Sequence, residues 1–233
     1  MKNGQLITIK ELVKDYPVGK GYFRALEDIN LTIGEGEFAG LVGPSGSGKT
    51  TLLNIVGSLD VPTKGEVNVL GQSIGSLNAR QSANLRNHSL GFIFQTYNLL
   101  PVYNVFENVE LPLLLLKMEK DKRRELVDQA LEWVGLQDKR KSRPAQLSGG
   151  ECQRVSIARA MVKSPKIVLA DEPTANLDAK NSHNILQTME KLNQELKTTF
   201  IFATHDDKVI QYLHRKISLD DGRVVNDEQI IKE

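Results

Sequence analysis

Hydrophobic and polar residues follow two different periods in the first third of this 233-residue chain. Alternation with a period of two predicts strands over residues 5–13 and 65–72. A nearly continuous apolar run predicts a buried strand over 36–43, and helical spacing predicts a helix over 49–59. A strand that runs through a glycine-rich turn directly into a helix is therefore expected here.

The middle of the chain has a different pattern. From about residue 104 to 162 only helical spacing is present, with loops predicted at 117–121 and 135–150. The segment "LVDQALEWV" places Val127, Leu131 and Val134 on one face, which is typical of a packed amphipathic helix. We therefore expect a helical insertion in this region.

Strands and helices alternate again after residue 165. An apolar strand is predicted over 166–173, a helix over 182–196 and a second strand over 198–204. The segment "KISLDDGRVV" predicts a hairpin whose turn is Asp221-Gly222. The pattern as a whole predicts a three-layer α/β core interrupted by a helical insert, in one domain with two lobes.

Composition and charge exclude several classes of protein. The chain is 40% hydrophobic and 25% charged with a net charge of +1, so nucleic acid is not expected as its main partner. The single Cys152 allows no internal disulfide, and the four histidines lack the spacing of metal ligands. The most apolar stretch, residues 109–118, is half of the ~20 residues that a membrane-spanning helix needs. We expect no secretory signal and no membrane crossing.

The segment "GPSGSGKT" is a predicted phosphate-binding loop. Its glycines allow backbone N–H groups to surround a phosphate chain, its lysine adds a positive charge, and a threonine hydroxyl can bind Mg²⁺. The strand-to-helix junction predicted at this position is the setting that such a loop requires. The predicted nucleotide contacts are Gly43, Pro44, Ser45, Gly46, Ser47, Gly48, Lys49, Thr50 and Thr51.

Two adjacent acidic residues follow the predicted strand in "IVLADEP". Asp171 would lie at the carboxyl end of the strand, where α/β sheets bind ligands, and is a predicted Mg²⁺ ligand together with Thr50. Glu172 would orient or deprotonate the attacking water. The alternative interpretation is an acidic pair that caps a helix before Pro173.

Two further strand ends supply polar side chains. His205 follows the apolar strand in "FATHDD" and could contact the terminal phosphate, although a lone histidine is more often structural. Gln95 follows the apolar segment "GFIF" and could reach Mg²⁺ or the attacking water. Tyr16 could stack on the base of the nucleotide, with Tyr22 and Phe23 as rival candidates.

A second anion site is predicted about a hundred residues after the first. In "LSGGECQRV", residues 147–155, a serine and two glycines precede a helix, where backbone N–H groups and the helix dipole favour negative charge. Because the phosphate loop already provides one such site, the purpose of the second needs an explanation.

These motifs together resemble the ATP-binding cassette (ABC) ATPases. "GPSGSGKTT", Gln95, "LSGGE", "LADEPTANLD" and "ATH" occur in the order of that family and span essentially the whole chain. The resemblance implies a P-loop NTPase core, a RecA-like three-layer α/β fold with an N-terminal antiparallel β subdomain, at about residues 1–95 and 163–233. It also implies a helical subdomain at about 96–162 within a single domain over 1–233.

The resemblance also implies an ATPase with ATP and Mg²⁺ and answers the question of the second anion site. In this family two cassettes pair head to tail, so that Ser148, Gly149 and Gly150 of one copy close over the γ-phosphate held by the other. Asp178 would contribute at the same interface. The sequence departs from the family pattern at Cys152, where glutamine is usual, and at Ala175, where glycine is frequent; we expect little effect from either.

The pattern of the whole chain resembles the lipoprotein-release, macrolide-exporter and cell-division branch. That branch implies an integral membrane permease as partner, contacting about Gln95–Glu107, and a peripheral location on the cytoplasmic face of the inner membrane. Leu99, Leu100, Val102 and Phe106 could form a groove for it, or pack within the domain. A soluble ABC ATPase acting on ribosomes or DNA is the alternative; a GTPase or small-molecule kinase would leave "LSGG" without a task.

Overall fold

The strands form two separate sheets in the computed structural model, which describes residues 4–230. The first is a four-stranded antiparallel sheet in the order β2-β1-β4-β5. Its strands are β1 (Gln5–Val18), β2 (Gly21–Gly34), β4 (Lys64–Val69) and β5 (Gln72–Ser73).

The second sheet has six strands in the order β10-β9-β3-β8-β7-β6. Its strands are β3 (Phe38–Val42), β6 (Leu90–Ile93), β7 (Ile167–Asp171), β8 (Thr199–Thr204), β9 (Arg215–Asp220) and β10 (Arg223–Gln229). All pairs are parallel except the hairpin of β9 and β10. The carboxyl ends of β3, β6, β7 and β8 therefore meet at one edge, where ligands bind in sheets of this type.

Seven α-helices occur within residues 4–230. They are α1 (Lys49–Val56), α2 (Ala79–Ser89), α3 (Val105–Leu115), α4 (Lys120–Trp133), α5 (Gly149–Met161), α6 (Ala179–Leu196) and α7 (Asp207–Ile210). None of the helices described in this range is both long and apolar enough to cross a membrane.

Hydrophobic packing covers both faces of the parallel sheet. On β8, Phe200 and Phe202 belong to a core shared with α3–α6, whereas Ile201 and Ala203 belong to a second core shared with α1 and the antiparallel sheet. Successive side chains of a strand point to opposite faces, so β8 reads as a continuous apolar run. The predicted three-layer α/β arrangement is confirmed.

Most predicted elements are present with small changes of boundary. The hairpin turn is confirmed, since Asp221 and Gly222 have φ angles of 42° and 73° and Asp220 pairs with Arg223. The predicted strand at 65–72 divides after Val69 into β4 and β5. The division into core and helical subdomain at residues 96 and 162 stays a prediction.

Candidate functional site

The phosphate loop connects β3 to α1 in a conformation that needs glycine. Gly46 and Gly48 have φ angles of 85° and 97°, a region that L-residues rarely adopt. A Cβ atom on Gly48 would lie 2.8 Å from the carbonyl oxygen of Ala25, so side chains are excluded there by contact as well. The loop thereby brings its backbone to the N-terminus of α1, which favours an anion.

Two side chains of the phosphate-loop motif favour a bound polyanion. The Nζ of Lys49 donates to the carbonyl oxygens of Gly43 at 2.7 Å and Pro44 at 2.8 Å, and burial lowers the pKa of this lysine. The hydroxyl of Ser47 is buried and has no hydrogen-bond partner among the described residues. A bound phosphate chain would supply the charge and the acceptors that both groups need.

Thr50 and Asp171 form the part of the site that fits a divalent cation. The hydroxyl of Thr50 lies 3.2 Å from each carboxylate oxygen of Asp171, and burial raises the pKa of that carboxyl. A hydroxyl, one carboxylate and phosphate oxygens make the set of hard ligands that Mg²⁺ takes in nucleotide sites. Within residues 4–230, no cluster of three or more His, Cys, Asp or Glu side chains could hold another metal.

Glu172 adjoins this pair and has other hydrogen-bond partners. Its backbone has a φ of 45°, and its N–H donates to Ala203 on β8 at 2.9 Å. Its carboxylate accepts hydrogen bonds from Nδ1 of His205 at 2.6 Å and from Oγ1 of Thr204 at 3.1 Å. The alternative of a helix-capping acidic pair is wrong, because α6 begins at Ala179 with Asp178 as its cap.

The phosphate loop, Glu172 and His205 line one open cavity of about 510 Å³. Its lining consists of residues 45–51, Phe23 and Ala25 of β2, and the separate residues Gln95, Glu172, Ala175 and His205. Three predicted contributors from three distant segments, Gln95, Glu172 and His205, thus lie together with the loop. Within the described part of the chain, residues 148–150 do not line this cavity.

Of the three aromatic candidates for the base, Phe23 is the one that lines the cavity. Tyr16 is directly opposite Phe23 in the pairing of β1 with β2, and Phe23 lines the cavity while remaining 57% exposed. The hydroxyl of Tyr16 donates to Asp60 at 2.7 Å, and Nζ of Lys14 lies 4.8 Å from its ring centroid. Tyr22 is exposed. Stacking by Tyr16 or by Phe23 stays a prediction.

The predicted second anion site lies at the start of α5. Ser148 caps the helix, with its hydroxyl accepting from the N–H of Glu151 at 3.3 Å. A Cβ atom on Gly150 would lie 2.6 Å from Oδ1 of Asn181, so α5 and α6 are in close contact there. Asn181 in turn donates to Asp178 at 2.7 Å. The structure therefore brings the "LSGG" turn and Asp178 together, with Ser148 and Gly149 exposed.

Comparison with known proteins identifies the family. A family model described as ABC transporter matches residues 26–175. The chain belongs to the ABC transporter family. It is an ATP-binding subunit that hydrolyses ATP and uses Mg²⁺.

Individual relatives and structures agree with this assignment. The cassette is 44% identical to the lipoprotein-releasing system ATP-binding protein LolD of Geobacter metallireducens, over 95% of this chain and 99% of that protein. It is 44% identical to the macrolide export ATP-binding/permease protein MacB 1/2 of Paracoccus denitrificans, over 96% of this chain and 33% of that protein. A dimeric structure of the cassette MJ0796 bound to ADP and Pi is 41% identical, with a TM-score of 0.89, and covers 97% of this chain and all of that chain. The predicted resemblance to the lipoprotein-release and macrolide-exporter branch is confirmed.

An apolar groove of about 360 Å³ lies on another surface of the cassette, beside α3. Its lining includes Phe92, Phe94, Asn98, Leu111, Pro112, Leu115, Arg159 and Lys163. Of the residues predicted to contact a permease, Leu99 and Phe106 pack against the hydrophobic core, as the alternative expected, while Leu100 and Val102 are exposed outside this lining. Contact of residues 95–107 with a permease stays a prediction. Helix α3, which contains Pro112, and the end of β6 provide most of the apolar lining of this groove.

Cys152 is buried on α5, with its sulfur 3.7 Å from the carbonyl oxygen of Pro144. Burial raises the pKa of the thiol, so the reactive thiolate is disfavoured. Ala175 lines the phosphate cavity, where one methyl group replaces the frequent glycine of the family.

Proposed function

We propose that two copies of this cassette close head to tail over two ATP molecules, each site being completed by Ser148, Gly149 and Gly150 of the other copy. The observation that carries this proposal is the separation of the two anion sites. The cavity that contains the phosphate loop has no lining from residues 148–150, although those residues start a helix with exposed polar groups. The dimeric MJ0796 cassettes, at 41% identity, support the same assembly.

Within each site the roles follow from the contacts. Lys49, Ser47 and the start of α1 hold the phosphates, and Thr50 with Asp171 would hold Mg²⁺, which neutralises charge on the phosphate oxygens. Gln95 is the third proposed ligand, because it lines the same cavity. We assign Asp178 to the interface, since it lies with the "LSGG" turn through Asn181.

Hydrolysis is assigned to Glu172. Its carboxylate accepts a proton from the attacking water as the oxygen bonds to the γ-phosphorus and the bond to the ADP oxygen breaks. His205 and Thr204 fix the carboxylate by donating to one oxygen each. His205 also lines the cavity with 60% of its side chain exposed, which lets it contact the γ-phosphate after ATP binds.

The partner is proposed to be an integral membrane permease that docks in the groove beside α3. The groove is open and mostly apolar, and one of its lining residues, Asn98, lies in the segment Gln95–Glu107. Relatives named as a lipoprotein-releasing ATP-binding protein and a macrolide export ATP-binding/permease protein support a transporter rather than a ribosome- or DNA-acting ATPase. A location on the cytoplasmic face of the membrane follows from this partner, and export or lipoprotein release is the proposed work.

Size-exclusion chromatography with light scattering of the Glu172→Gln variant tests the assembly. With ATP and Mg²⁺ the variant should elute as a stable dimer, because it binds ATP but loses about 10²–10⁴-fold in turnover. Lys49→Ala in the same background is the matched control and should stay monomeric, since it loses phosphate binding. A Glu172→Gln variant that binds ATP and remains monomeric at micromolar concentration would refute the proposal.

A further inference from the structure

The phosphate cavity and the apolar groove approach each other through four consecutive residues. Gln95 lines the cavity, and Asn98 lines the groove. A contact that fixes the backbone between these two residues therefore also fixes the position of the groove relative to the Mg²⁺ site. One side chain with no role in the proposed hydrolysis contacts this backbone.

That side chain is Arg159 on α5, which also lines the groove. Its Nη1 donates to the carbonyl oxygen of Asn98 at 2.6 Å, and its Nη2 donates to that of Tyr97 at 2.7 Å. Among the described residues no carboxylate lies within ion-pair distance of this guanidinium. Its charge is thus directed at two adjacent backbone carbonyls, to which the planar fork is well matched.

The backbone that Arg159 holds is in an uncommon conformation. Tyr97 and Asn98 have φ angles of 60° and 50°, so two consecutive non-glycine residues occupy the left-handed region. Such residues persist only where the surrounding structure fixes them. The other hydrogen bonds of the turn are local: the N–H of Tyr97 donates to the carbonyl oxygen of Phe94 at 3.2 Å, and the N–H of Asn98 to that of Thr96 at 2.6 Å. The hydroxyl of Thr96 also donates to the side-chain oxygen of Asn98 at 2.9 Å.

The backbone of Gln95 has a contact of its own. Nδ2 of Asn176 donates to the carbonyl oxygen of Gln95 at 2.9 Å, and Asn176 belongs to the loop between β7 and α6. The glutamine therefore lies between a contact to the loop that carries Glu172 and a turn fixed by Arg159. Loss of either contact would change where its side chain points.

We propose that Arg159 is a positioning residue for the ATPase reaction, which holds the Tyr97-Asn98 turn and thereby keeps Gln95 directed at the Mg²⁺ site. The inference rests on the proposed ligand role of Gln95. It assigns to α5 two tasks: its first residues complete the partner's ATP site, and its second half fixes the glutamine of its own site.

The test is a double-mutant cycle on the metal affinity of the purified chain. Mn²⁺ replaces Mg²⁺, and its apparent Kd is measured by electron paramagnetic resonance with a non-hydrolysable ATP analogue bound. Arg159→Met and Gln95→Ala should each raise this Kd about 10-fold, as loss of an outer-shell or inner ligand contact does. The double variant should be no worse than either single one, because both act through the same side chain.

Two further variants separate positioning from general destabilisation. Arg123→Met removes another partly buried arginine, which pairs with Glu110 and donates to the carbonyl oxygen of Met118, and it should leave the Mn²⁺ affinity unchanged. Arg159→Lys keeps the charge without the planar fork and should give an intermediate Kd. It also keeps the test available if Arg159→Met does not fold.

The outcomes distinguish this inference from the function on which it rests. Additive effects of Arg159→Met and Gln95→Ala, or an unchanged Kd in Arg159→Met, would overturn the inference and leave Gln95 as a ligand. An unchanged Kd in Gln95→Ala would overturn the ligand role of Gln95, and the inference would fall with it.

Discussion

Glu172 and His205 are in direct contact, with Nδ1 of the imidazole 2.6 Å from Oε1 of the carboxylate. The two residues lie at the ends of adjacent parallel strands, β7 and β8, so the sheet itself brings them together. Only 15% of the glutamate side chain is exposed, compared with 60% of the histidine. The carboxylate is thus held by a neighbour that can still reach into the phosphate cavity.

We expect His205→Ala to lower the rate of hydrolysis while retaining ATP binding. Removal of the imidazole leaves Glu172 with Thr204 alone, and a misdirected general base loses about 10²-fold or more in rate. Stability should change little, because the histidine is exposed. Single-turnover hydrolysis and nucleotide titration, with His214→Ala as the control histidine, check this. A full rate in His205→Ala would show that Glu172 needs no orienting partner.

Adjacent leucines on α3 provide a matched pair for the groove. Leu115 lines the groove, whereas Leu114 is outside its described lining, and both are substantially exposed, at 60% and 43%. Leu115→Asp should abolish association with the permease, since a charge in an apolar contact is costly to desolvate. Leu114→Asp should not. The fraction of each tagged variant that is recovered with cell membranes measures this association. Equal loss of both variants from the membranes would place the docking surface elsewhere.

Lys163 predicts a dependence of stability on pH. Burial lowers the pKa of this lysine from 10.5 to about 8, and its Nζ donates to the carbonyl oxygen of Arg86 at 2.6 Å. Between pH 8 and 10.5 the unfolded chain binds more protons than the folded chain, so this lysine makes stability rise with pH. Below pH 8 the full cost of burying the charge is present.

The variant Lys163→Met lacks this cost. Its advantage in free energy of unfolding over the native chain should shrink by up to about 3 kcal/mol between pH 7 and pH 10. Urea denaturation at both pH values measures the difference, and Lys191→Met, at an exposed lysine, controls for the loss of one charge. An advantage that is the same at both pH values would contradict the assignment of a buried cation.

Much of the fold was predictable because the parallel strands are buried on both faces and read as apolar runs. Strand β2 was not predicted, because a bulge around Asp28, with a φ of 49°, breaks the alternation between Leu26 and Ile29. Helix α2 was not predicted either, since Leu85 is its single buried residue and leaves no helical period. The hydrophobic pattern does not predict an element that buries few residues or whose alternation is interrupted by a bulge.

The candidate site was predictable as far as its residues follow short motifs. The meeting of Thr50 with Asp171 and of Glu172 with His205 follows from strand order, once the sheet is parallel. The docking surface stays a prediction, because the sequence of residues 99–106 is apolar whether a residue packs inward, as Phe106 does, or remains exposed, as Val102 does. No sequence pattern indicated a role for Arg159, since its partners are backbone carbonyl oxygens.

The central claim is that each ATP site is shared between two copies. Mixing two inactive variants tests it most directly: Lys49→Ala removes phosphate binding, and Ser148→Arg blocks the "LSGG" turn. In a head-to-tail dimer of the two variants, one site contains both defects and the other contains neither. We predict that each variant alone is inactive and that the mixture hydrolyses ATP. A mixture as inactive as its components would contradict the shared site and indicate that Ser148 serves the nucleotide of its own chain.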